Sequence, residues 1–270
     1  AATFAADNAL NSVGTPGTAP NSQATYLGAG DVLTELGLPD GEELNLIVNR
    51  RMSSAYINGT VGYFNPQSGI SKQYNRGVIQ DALGYNVLRD QTINTHVNGT
   101  WTTVGLVNGA NQVADGGNNA TMGLITDGWA SASLKVGDKF VIGSDVSPTV
   151  GGVESVHPQT RRTTQRQQVF TVTADIADSG GAMTPVIAPA ITPSGQYQNV
   201  NISAVDNAII TMIGTSGQSC TQGLLMHKNA FAFVSVPMNE PPAGTGVKAV
   251  QMTDEETGLS IMYSQFTTGQ

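Results

Sequence analysis

The stretch from Leu44 to Gly99 constrains the fold most, because its hydrophobic periodicity changes several times within a short distance. The apolar run Leu44–Val48 has the length of a strand. From Met52 to Ile57 apolar residues recur at three- and four-residue spacing, which predicts a short helix. The turn signals that follow are Asn58-Gly59, Asn65-Pro66 and Gly84. Because extended pieces flank Gly84, the stretch predicts a compact α+β unit.

Two helical patterns precede this unit. Residues 1–13 carry apolar side chains at helical spacing and predict the end of a helix. Residues 14–25 are rich in Gly, Pro and Ser and predict a loop. The segment Tyr26 to Gly37 predicts a second helix that stops at Gly37. Its predicted apolar stripe consists of Leu27, Val32, Leu33 and Leu36.

The region after Asn98 changes to short apolar runs separated by Gly-rich turns, which predicts an all-β module, either a small barrel or a sandwich. Gly137-Asp138 predicts a turn in a hairpin or at a barrel corner. Prolines spaced four apart, at 185, 189 and 193, predict that residues 177–200 form an edge or a loop. We expect a short helix over Ala204–Ile213. Near the end, Gly258–Gln265 predicts a strand that returns to the core.

The charge balance is acidic, with 12 basic and 20 acidic side chains. Tight nucleic-acid binding needs clustered Lys and Arg that displace counterions from phosphates. The clusters in this chain, Arg50-Arg51 and Arg161-Arg162 with Arg166, are too small for a sequence-reading interface. The single cysteine, Cys220, excludes an intrachain disulfide and a thiolate metal cage and fits a reducing compartment. No apolar run reaches the roughly 18 residues that a membrane span needs.

The sequence shows no constellation of catalytic residues. The three histidines, His96, His157 and His227, are far apart, which favours structural roles. Cys220 and His227 could be imagined as a catalytic pair of thiol and imidazole, but their spacing in the sequence implies no such geometry. The acidic run Asp254-Glu255-Glu256 is typical of an exposed turn, and residues 115–119 are too short for a calcium loop. We therefore expect no enzyme activity, no metal site and no cofactor.

An ordered set of motifs gives the chain a resemblance to a known family. The first motifs, after the apolar strand and short helix, are Phe64-Asn65-Pro66, Gly77, Ile79, Leu83-Gly84-Tyr85-Asn86-Val87 and His96-Val97-Asn98-Gly99. Later motifs, in the same order as in the family, are Leu134–Ile142, Val169–Thr173 and Leu224–Phe233. Over roughly residues 26–265 these motifs resemble the major capsid fold of tailed phages, and within it the coat proteins of short-tailed Salmonella phages.

The resemblance implies an α+β capsid fold with an inserted all-β, barrel-like domain. Residues 1–97 would hold the end of a spine-like helix and the first axial-domain segment, 98–223 the insertion, and 224–270 the return segment of the axial domain. We expect from it that the N-terminal arm, the extended loop and the C-terminal segment of the family are missing from this sequence. The implied function is that of a major capsid protein in an icosahedral shell around a double-stranded DNA phage genome.

The same resemblance implies the partners and the location. We expect copies of the chain to associate in pentamers and hexamers, together with scaffolding and portal proteins, and to contact packaged DNA non-specifically. Assembly would take place in the host cytoplasm, and the mature location would be the virion. No membrane partner is expected.

Two other function classes stay open. A tail, decoration or baseplate protein would share the Gly-, Asn- and Thr-rich β composition, but the helix predicted at 26–37 counts against it. A carbohydrate-binding β module or hydrolase would present clustered exposed aromatic rings or two carboxylates in a cleft. The two tryptophans, Trp101 and Trp129, lie beside β patterns where core packing is the default expectation. The sequence therefore favours the capsid subunit.

Overall fold

The computed structural model describes residues 2–39, 41–60, 83–114, 120–148, 151–231, 235–236, 239, 247–254 and 258–266. Within these ranges the chain forms three short helices and many short strands, which confirms the predicted α+β class. The chain divides into two compact units, Ala1–His227 and Lys228–Gln270. The helices, all in the first unit, are α1 (Ala2–Asp7), α2 (Gln23–Glu35) and α3 (Arg50–Gly59).

The strands of the first unit are mostly two to five residues long. They are β1 (Leu44–Val48), β2 (Tyr85–Arg89), β3 (Thr95–Val97), β4 (Leu106–Val107), β5 (Met122–Gly123), β6 (Thr126–Asp127), β7 (Ser133–Leu134), β8 (Lys139–Ile142), β9 (Glu154–Val156), β10 (Thr163–Gln167), β11 (Val169–Val172), β12 (Ile176–Ala177), β13 (Val186–Ala188), β14 (Ile210–Met212), β15 (Ser219–Thr221) and β16 (Gly223–His227). The second unit contains β17 (Val247–Thr253) and β18 (Ser260–Phe266).

A three-stranded sheet in the order β16-β1-β2 lies at the centre of the α/β part of the first unit. The strand β1 pairs antiparallel with β16 and parallel with β2. Asn49 caps the N-terminus of α3, and its Oδ1 atom accepts a 2.9 Å hydrogen bond from the Met52 amide. The predicted strand, the predicted helix and the extended piece after Gly84 are thus confirmed, whereas the extended piece predicted before Gly84 lies outside the described residues. The motif residues Phe64-Asn65-Pro66, Gly77 and Ile79 lie outside the described residues.

Helix α2 packs on this sheet through Tyr26 and Gly30, and its Val32 is also buried. The Tyr26 ring meets the Tyr56 ring of α3 edge to face, with centroids 5.2 Å apart. The predicted stripe was wrong in one member, since Leu27 is 43% exposed while Tyr26 is buried. The prediction of a helix before residue 13 holds only as far as Asp7. Beyond that point the Ala9 carbonyl accepts from the Thr171 hydroxyl, at 3.0 Å, and the chain leaves the helical path.

A five-stranded antiparallel sheet in the order β14-β8-β11-β13-β5 forms the second part of this unit. Phe140 and Phe170 face each other across β8 and β11 with ring centroids 5.8 Å apart, and both are fully buried. Trp129 is buried in the same hydrophobic cluster and Trp101 packs against it, as predicted for core tryptophans. The other described strands of this region form two-stranded pairs. Strands β14 and β5 remain the two edges of an open sheet, so the described strands close no barrel.

One local prediction in this region is decided between its two alternatives, and two others need correction. Strands β7 and β8 flank the turn at Gly137-Asp138 but pair with different partners, so the turn is a corner between two sheets and not a hairpin. Strand β13 is an interior strand although prolines 185 and 189 flank it. The prolines stand outside the strand, and only the three residues between them lie in the ladder. The segment Ala204–Ile213 is not helical, since it contains β14, which pairs with β8.

The second unit contains one described hairpin, formed by β17 and β18 in continuous antiparallel register from Val247↔Phe266 to Thr253↔Ser260. The hydroxyl of Ser235 donates to the Gly258 carbonyl at 3.0 Å and accepts from the Ser260 amide at 3.0 Å. The prediction that this last strand returns to the core stays a prediction. Strand β18 pairs with β17, and its Ile261 and Tyr263 side chains are exposed.

Candidate functional site

The histidines that the sequence singled out lie in separate local environments. His96 pairs with Asp138, and the His157 Nδ1 atom accepts from the amides of Gln159 and Thr160. The Nε2 atom of His227 lies 3.2 Å from Glu42. The structure therefore holds each of the three beside its own neighbours and does not bring them together.

Cys220 lies opposite His96 in the β15–β3 ladder and not beside His227. Its sulfur contacts Asn98 Oδ1 and the Gln218 carbonyl, each at 3.9 Å. Sequence reasoning missed this neighbourhood because the pairing joins residues more than a hundred positions apart. The alternation of polar and apolar residues in such short strands carries no register signal.

The carboxylate of Asp138 is the most enclosed charged group of this region, with no exposed side-chain surface. Its Oδ1 atom lies 2.8 Å from His96 Nε2, and its Oδ2 atom accepts from the Lys135 amide at 2.8 Å. The Gly99 amide donates to both oxygens, at 3.2 and 3.1 Å. Beside it, burial lowers the pKa of Lys139, against the opposing effect of the Asp7 and Asp138 carboxylates. This arrangement fixes three pieces of chain around one buried acid.

The arginines of the second basic cluster contact their own chain. Arg166 forms an ion pair with Glu35 of α2 at 2.8 Å, and Arg161 donates to the carbonyls of Gly195 and Gln196. In the part of the chain that the structure describes, no three His, Cys, Asp or Glu side chains lie close enough to hold a metal ion. Within the same residues, no helix has both the length and the hydrophobicity to cross a bilayer. Of the acidic run Asp254-Glu255-Glu256, only Asp254 lies within the described residues, and it is exposed.

Residues 8–22, which we name the strap, join α1 to α2 across the face of the first unit. Three side chains from different parts of the fold donate hydrogen bonds to its carbonyl groups. The Thr171 hydroxyl donates to Ala9, Gln218 Nε2 donates to Pro16 at 3.3 Å, and the Tyr26 hydroxyl donates to Pro20 at 3.1 Å. These bonds fix the strap along its length although it contains no regular secondary structure.

A cavity of about 250 Å³ lies beneath the strap, and we name it the strap cavity. Its walls are the strap, α2, the start of α3 and the segment that joins β15 to β16. Apolar lining residues include Ala29, Val32, Leu46, Met52, Ile213 and Leu224. Polar lining residues include His96, Lys139, Cys220 and Gln222. Among the described residues, the one buried side-chain polar atom without a hydrogen-bond partner is Gln222 Oε1.

The second unit exposes a continuous apolar surface, which we name the hairpin face. Val250 lies opposite Tyr263, and Met252 lies opposite Ile261. Since alternate residues of a strand point to the same side, the four side chains share one face of the hairpin. Between 65% and 76% of each of these residues is exposed. Contiguous exposed apolar surface of this kind marks sites of protein association.

The comparisons with known proteins give the class of the molecule. The whole chain, residues 1–270, matches the family model described as P22 coat protein, gene protein 5. No curated protein matches the sequence significantly. The match defines a structural component of bacteriophage particles and not an enzyme class.

The chain belongs to the P22 coat protein family. It is therefore a major capsid protein, a structural component of the virion that self-assembles into oligomers. The resemblance to the coat proteins of short-tailed Salmonella phages, drawn from the order of the motifs, is confirmed.

Proposed function

We propose that this capsid protein builds an icosahedral shell of pentamers and hexamers around a double-stranded DNA genome. The observation that carries the proposal is the family match over residues 1–270. In the proposed subunit, residues 1–97 and 224–270 form the axial domain, and residues 98–223 form an inserted β-rich domain. The insertion is proposed as an open β structure, without the closed barrel that the resemblance implied.

The pairing of β3 with β15 supports the inserted domain. The chain enters the region through β3 and leaves it through β15, and these strands lie side by side with Val97 opposite Ser219. The strands just outside them, β2 and β16, both belong to the central three-stranded sheet. An insertion into an existing domain has this geometry, because its two ends must lie close together.

The distribution of hydrophobic contacts also supports it. The cluster around Phe140 and Phe170 consists entirely of residues between Trp101 and Met212. A second cluster, around Tyr26 and Val48, draws on the helices and the central sheet. A region that has its own buried core is the usual unit of an independent domain.

The hairpin face is the surface that we propose for contact between copies of the chain. A lone two-stranded hairpin is at best marginally stable in water, and covering its apolar face would remove that surface from solvent. Many modest contacts suffice in a shell because assembly multiplies them. Scaffolding and portal proteins are proposed as further partners. Contact with the packaged DNA would be weak and non-specific, since the chain carries a net charge of −8.

Cryo-electron microscopy of phage particles that contain this chain tests the proposed function. We expect icosahedral shells in which pentamers and hexamers share one subunit fold, with density for residues 98–223 as a separate lobe. Tubes or rings of fixed diameter would assign the chain to a tail component. Dispersed monomers at high concentration, with no particles under any assembly condition, would overturn the proposal.

A deletion tests the domain division. Removing residues 100–218 leaves Asn98-Gly99 as a two-residue link between Val97 and Ser219, which are already paired. Asn-Gly is the favoured sequence of a two-residue hairpin turn. We expect the shortened chain to retain a cooperative unfolding transition. Loss of that transition would show that residues 98–223 are an integral part of the axial fold.

A further inference from the structure

We propose that Asn108-Gly109 is a site of self-modification, at which the Gly109 backbone nitrogen closes a ring onto the Asn108 side chain and Asp206 acts as the base. The product is a succinimide, which water opens to aspartate or isoaspartate. This reaction takes place within a single subunit and does not depend on the architecture of the shell. The sequence contains three Asn-Gly pairs, at 58–59, 98–99 and 108–109, and the structure surrounds each of them differently.

Succinimide formation requires particular freedom in both residues of an Asn-Gly pair. The glycine nitrogen loses its proton and attacks the carbonyl carbon of the asparagine side chain, whose nitrogen departs as ammonia. The carboxamide must therefore be free to turn towards the next backbone nitrogen and reach a productive geometry. Glycine permits this approach most readily because it has no side chain. A base within hydrogen-bond reach of the glycine N–H assists the removal of the proton.

Asn108 and Gly109 meet these requirements in the turn after β4. Asn108 is exposed, and within the part of the chain that the structure describes no hydrogen bond holds its carboxamide. The Gly109 amide donates to Oδ1 of Asp206 at 2.7 Å, the distance expected of a general base. Gly109 has a φ of 97°, and the space beside its Cα atom is open, so the ring has room to form.

The carboxylate of Asp206 is placed to take the proton and to return it. Its Oδ2 atom accepts from the Asn207 side-chain amide at 3.2 Å, which leaves Oδ1 for Gly109. Asp206 takes the proton as the bond between the Gly109 nitrogen and the Asn108 side-chain carbon forms. It then gives the proton to the departing nitrogen, which leaves as ammonia. The carboxylate is restored, and because the site is exposed, water is present to open the ring.

Asn98-Gly99 has a similar acceptor but an immobile side chain. The Gly99 amide donates to Asp138. The Nδ2 atom of Asn98, however, donates to the carbonyls of Ile213 and Thr215, at 3.4 and 3.1 Å, and only 4% of the residue is exposed. Turning the carboxamide towards Gly99 would break both bonds in a buried site. We therefore expect Asn98 to be protected.

Asn58-Gly59 is protected by its helix. Both residues belong to α3, in which the backbone amides are bound to carbonyls four residues earlier. The strap also packs closely here, since a side-chain carbon on Gly59 would overlap the carbonyl of Asn21. The backbone therefore has little room to leave the helical conformation. Asn58 is exposed, so exposure alone does not select the site of modification.

Incubation of the full, unassembled chain at neutral pH, followed by peptide mapping with mass spectrometry, tests the proposal. The exchange of NH2 for OH changes the mass of the peptide, and isoaspartyl methyltransferase detects isoaspartate. We expect Asn108 to react at least about tenfold faster than Asn98 or Asn58. In concentrated urea, where the fold is lost, the three should react at similar rates. Equal rates in the folded chain, or an unmodified Asn108 under conditions in which the unfolded chain reacts, would overturn the proposal.

Asp206→Asn tests the base, because it keeps an acceptor for the Gly109 amide but cannot take the proton. We expect modification of Asn108 to slow by at least roughly tenfold. Its rate should then rise in proportion to the hydroxide concentration, whereas the rate in the unaltered chain should depend less steeply on pH. Asp145→Asn, the same change at another exposed position, should alter neither the rate nor its pH dependence. A rate in Asp206→Asn equal to or above that of the unaltered chain would show that Asp206 restrains Gly109, and would overturn the proposal.

Discussion

The Nε2 atom of His96 lies 2.8 Å from Oδ1 of Asp138, a carboxylate with no exposed side-chain surface. The same carboxylate accepts hydrogen bonds from the Gly99 and Lys135 amides. His96 and Gly99 lie where the chain enters the β-rich region, and Asp138 lies at the corner between β7 and β8. One buried carboxylate thus joins the beginning of the β-rich region to the corner between β7 and β8.

Removal of this acid should destabilise the first unit strongly. Asp138→Ala leaves the amides of Gly99 and Lys135 without their acceptor, and His96 without its partner. We expect a loss of about 3–5 kcal/mol in the free energy of unfolding, because several donors lose the acceptor that satisfies them, each at a cost of about 1–3 kcal/mol. Urea denaturation of the unassembled chain measures it. Asp145→Ala, at an exposed position, should change stability by less than about 0.5 kcal/mol. Equal effects of the two substitutions would contradict the structural role of Asp138.

The residue that caps the N-terminus of α3, Asn49, offers a test with a closely matched control. Asn49→Ala removes the acceptor of the Met52 amide at the helix N-terminus and should cost about 1 kcal/mol. Asn58→Ala makes the same chemical change at an exposed position within the same helix. There it should be neutral or slightly stabilising, since alanine is the better helix former. The two variants compared by thermal and urea unfolding check the cap, and a larger loss in Asn58→Ala would contradict it.

The sequence predicted well those elements whose signals are local. The apolar run Leu44–Val48 is β1, the three- and four-residue spacing after it is α3, and Gly84 lies in the predicted turn with a φ of 79°. The prediction for residues 177–200 failed for a physical reason. Pro185 and Pro189 each lack an amide donor, but only at their own positions, and the Pro185 carbonyl still accepts from the Leu124 amide. A strand of three residues fits between the two prolines in the middle of a sheet.

The candidate sites depend on contacts that sequence patterns do not encode. Cys220 meets His96 only through the β15–β3 ladder, and the cavity near Gln222 forms only when the strap lies over α2. The hairpin face could be derived in part, because Val250 and Met252 stand on either side of the polar Gln251 in the sequence. Their exposure could not, since an apolar strand face predicts burial unless the surrounding fold is known.

The alkaline stability of the protein should depend on Tyr26. Burial, and then the neighbouring Tyr56, raise the pKa of its phenol from 10.0 to about 12. The folded state therefore binds the phenolic proton more tightly than the unfolded state. The resulting stability is fully present below pH 10 and is lost as the pH rises from about 10 to about 12. Burial raises the pKa of Tyr56 and Tyr85 in the same direction.

Urea unfolding at a series of pH values between 8.5 and 11.5 measures this loss. Tyr26→Phe keeps the ring against Tyr56 but has no proton to release, so its stability should fall less steeply with pH than that of the unaltered chain. Tyr197→Phe, at a position that is about half exposed, should leave the steepness unchanged. An identical pH dependence in Tyr26→Phe and the unaltered chain would show that the Tyr26 phenol does not contribute.

Assembly should depend on the hairpin face and not on the opposite side of the same strand. Val250→Lys places a charge in the centre of the apolar face, beside Tyr263, where burial against another copy would leave it unpaired. Because residue 250 is exposed in the unassembled chain, the substitution should change the free energy of unfolding by less than about 0.5 kcal/mol.

Gln251→Lys adds the same charge one residue further along, on the other face, where the position is also exposed. Light scattering and sedimentation should show that Val250→Lys slows shell formation at least tenfold while Gln251→Lys assembles at nearly the normal rate. Normal assembly of Val250→Lys would remove the hairpin face from the contacts between copies. Slow assembly of both variants would instead indicate that added charge anywhere on β17 is tolerated poorly.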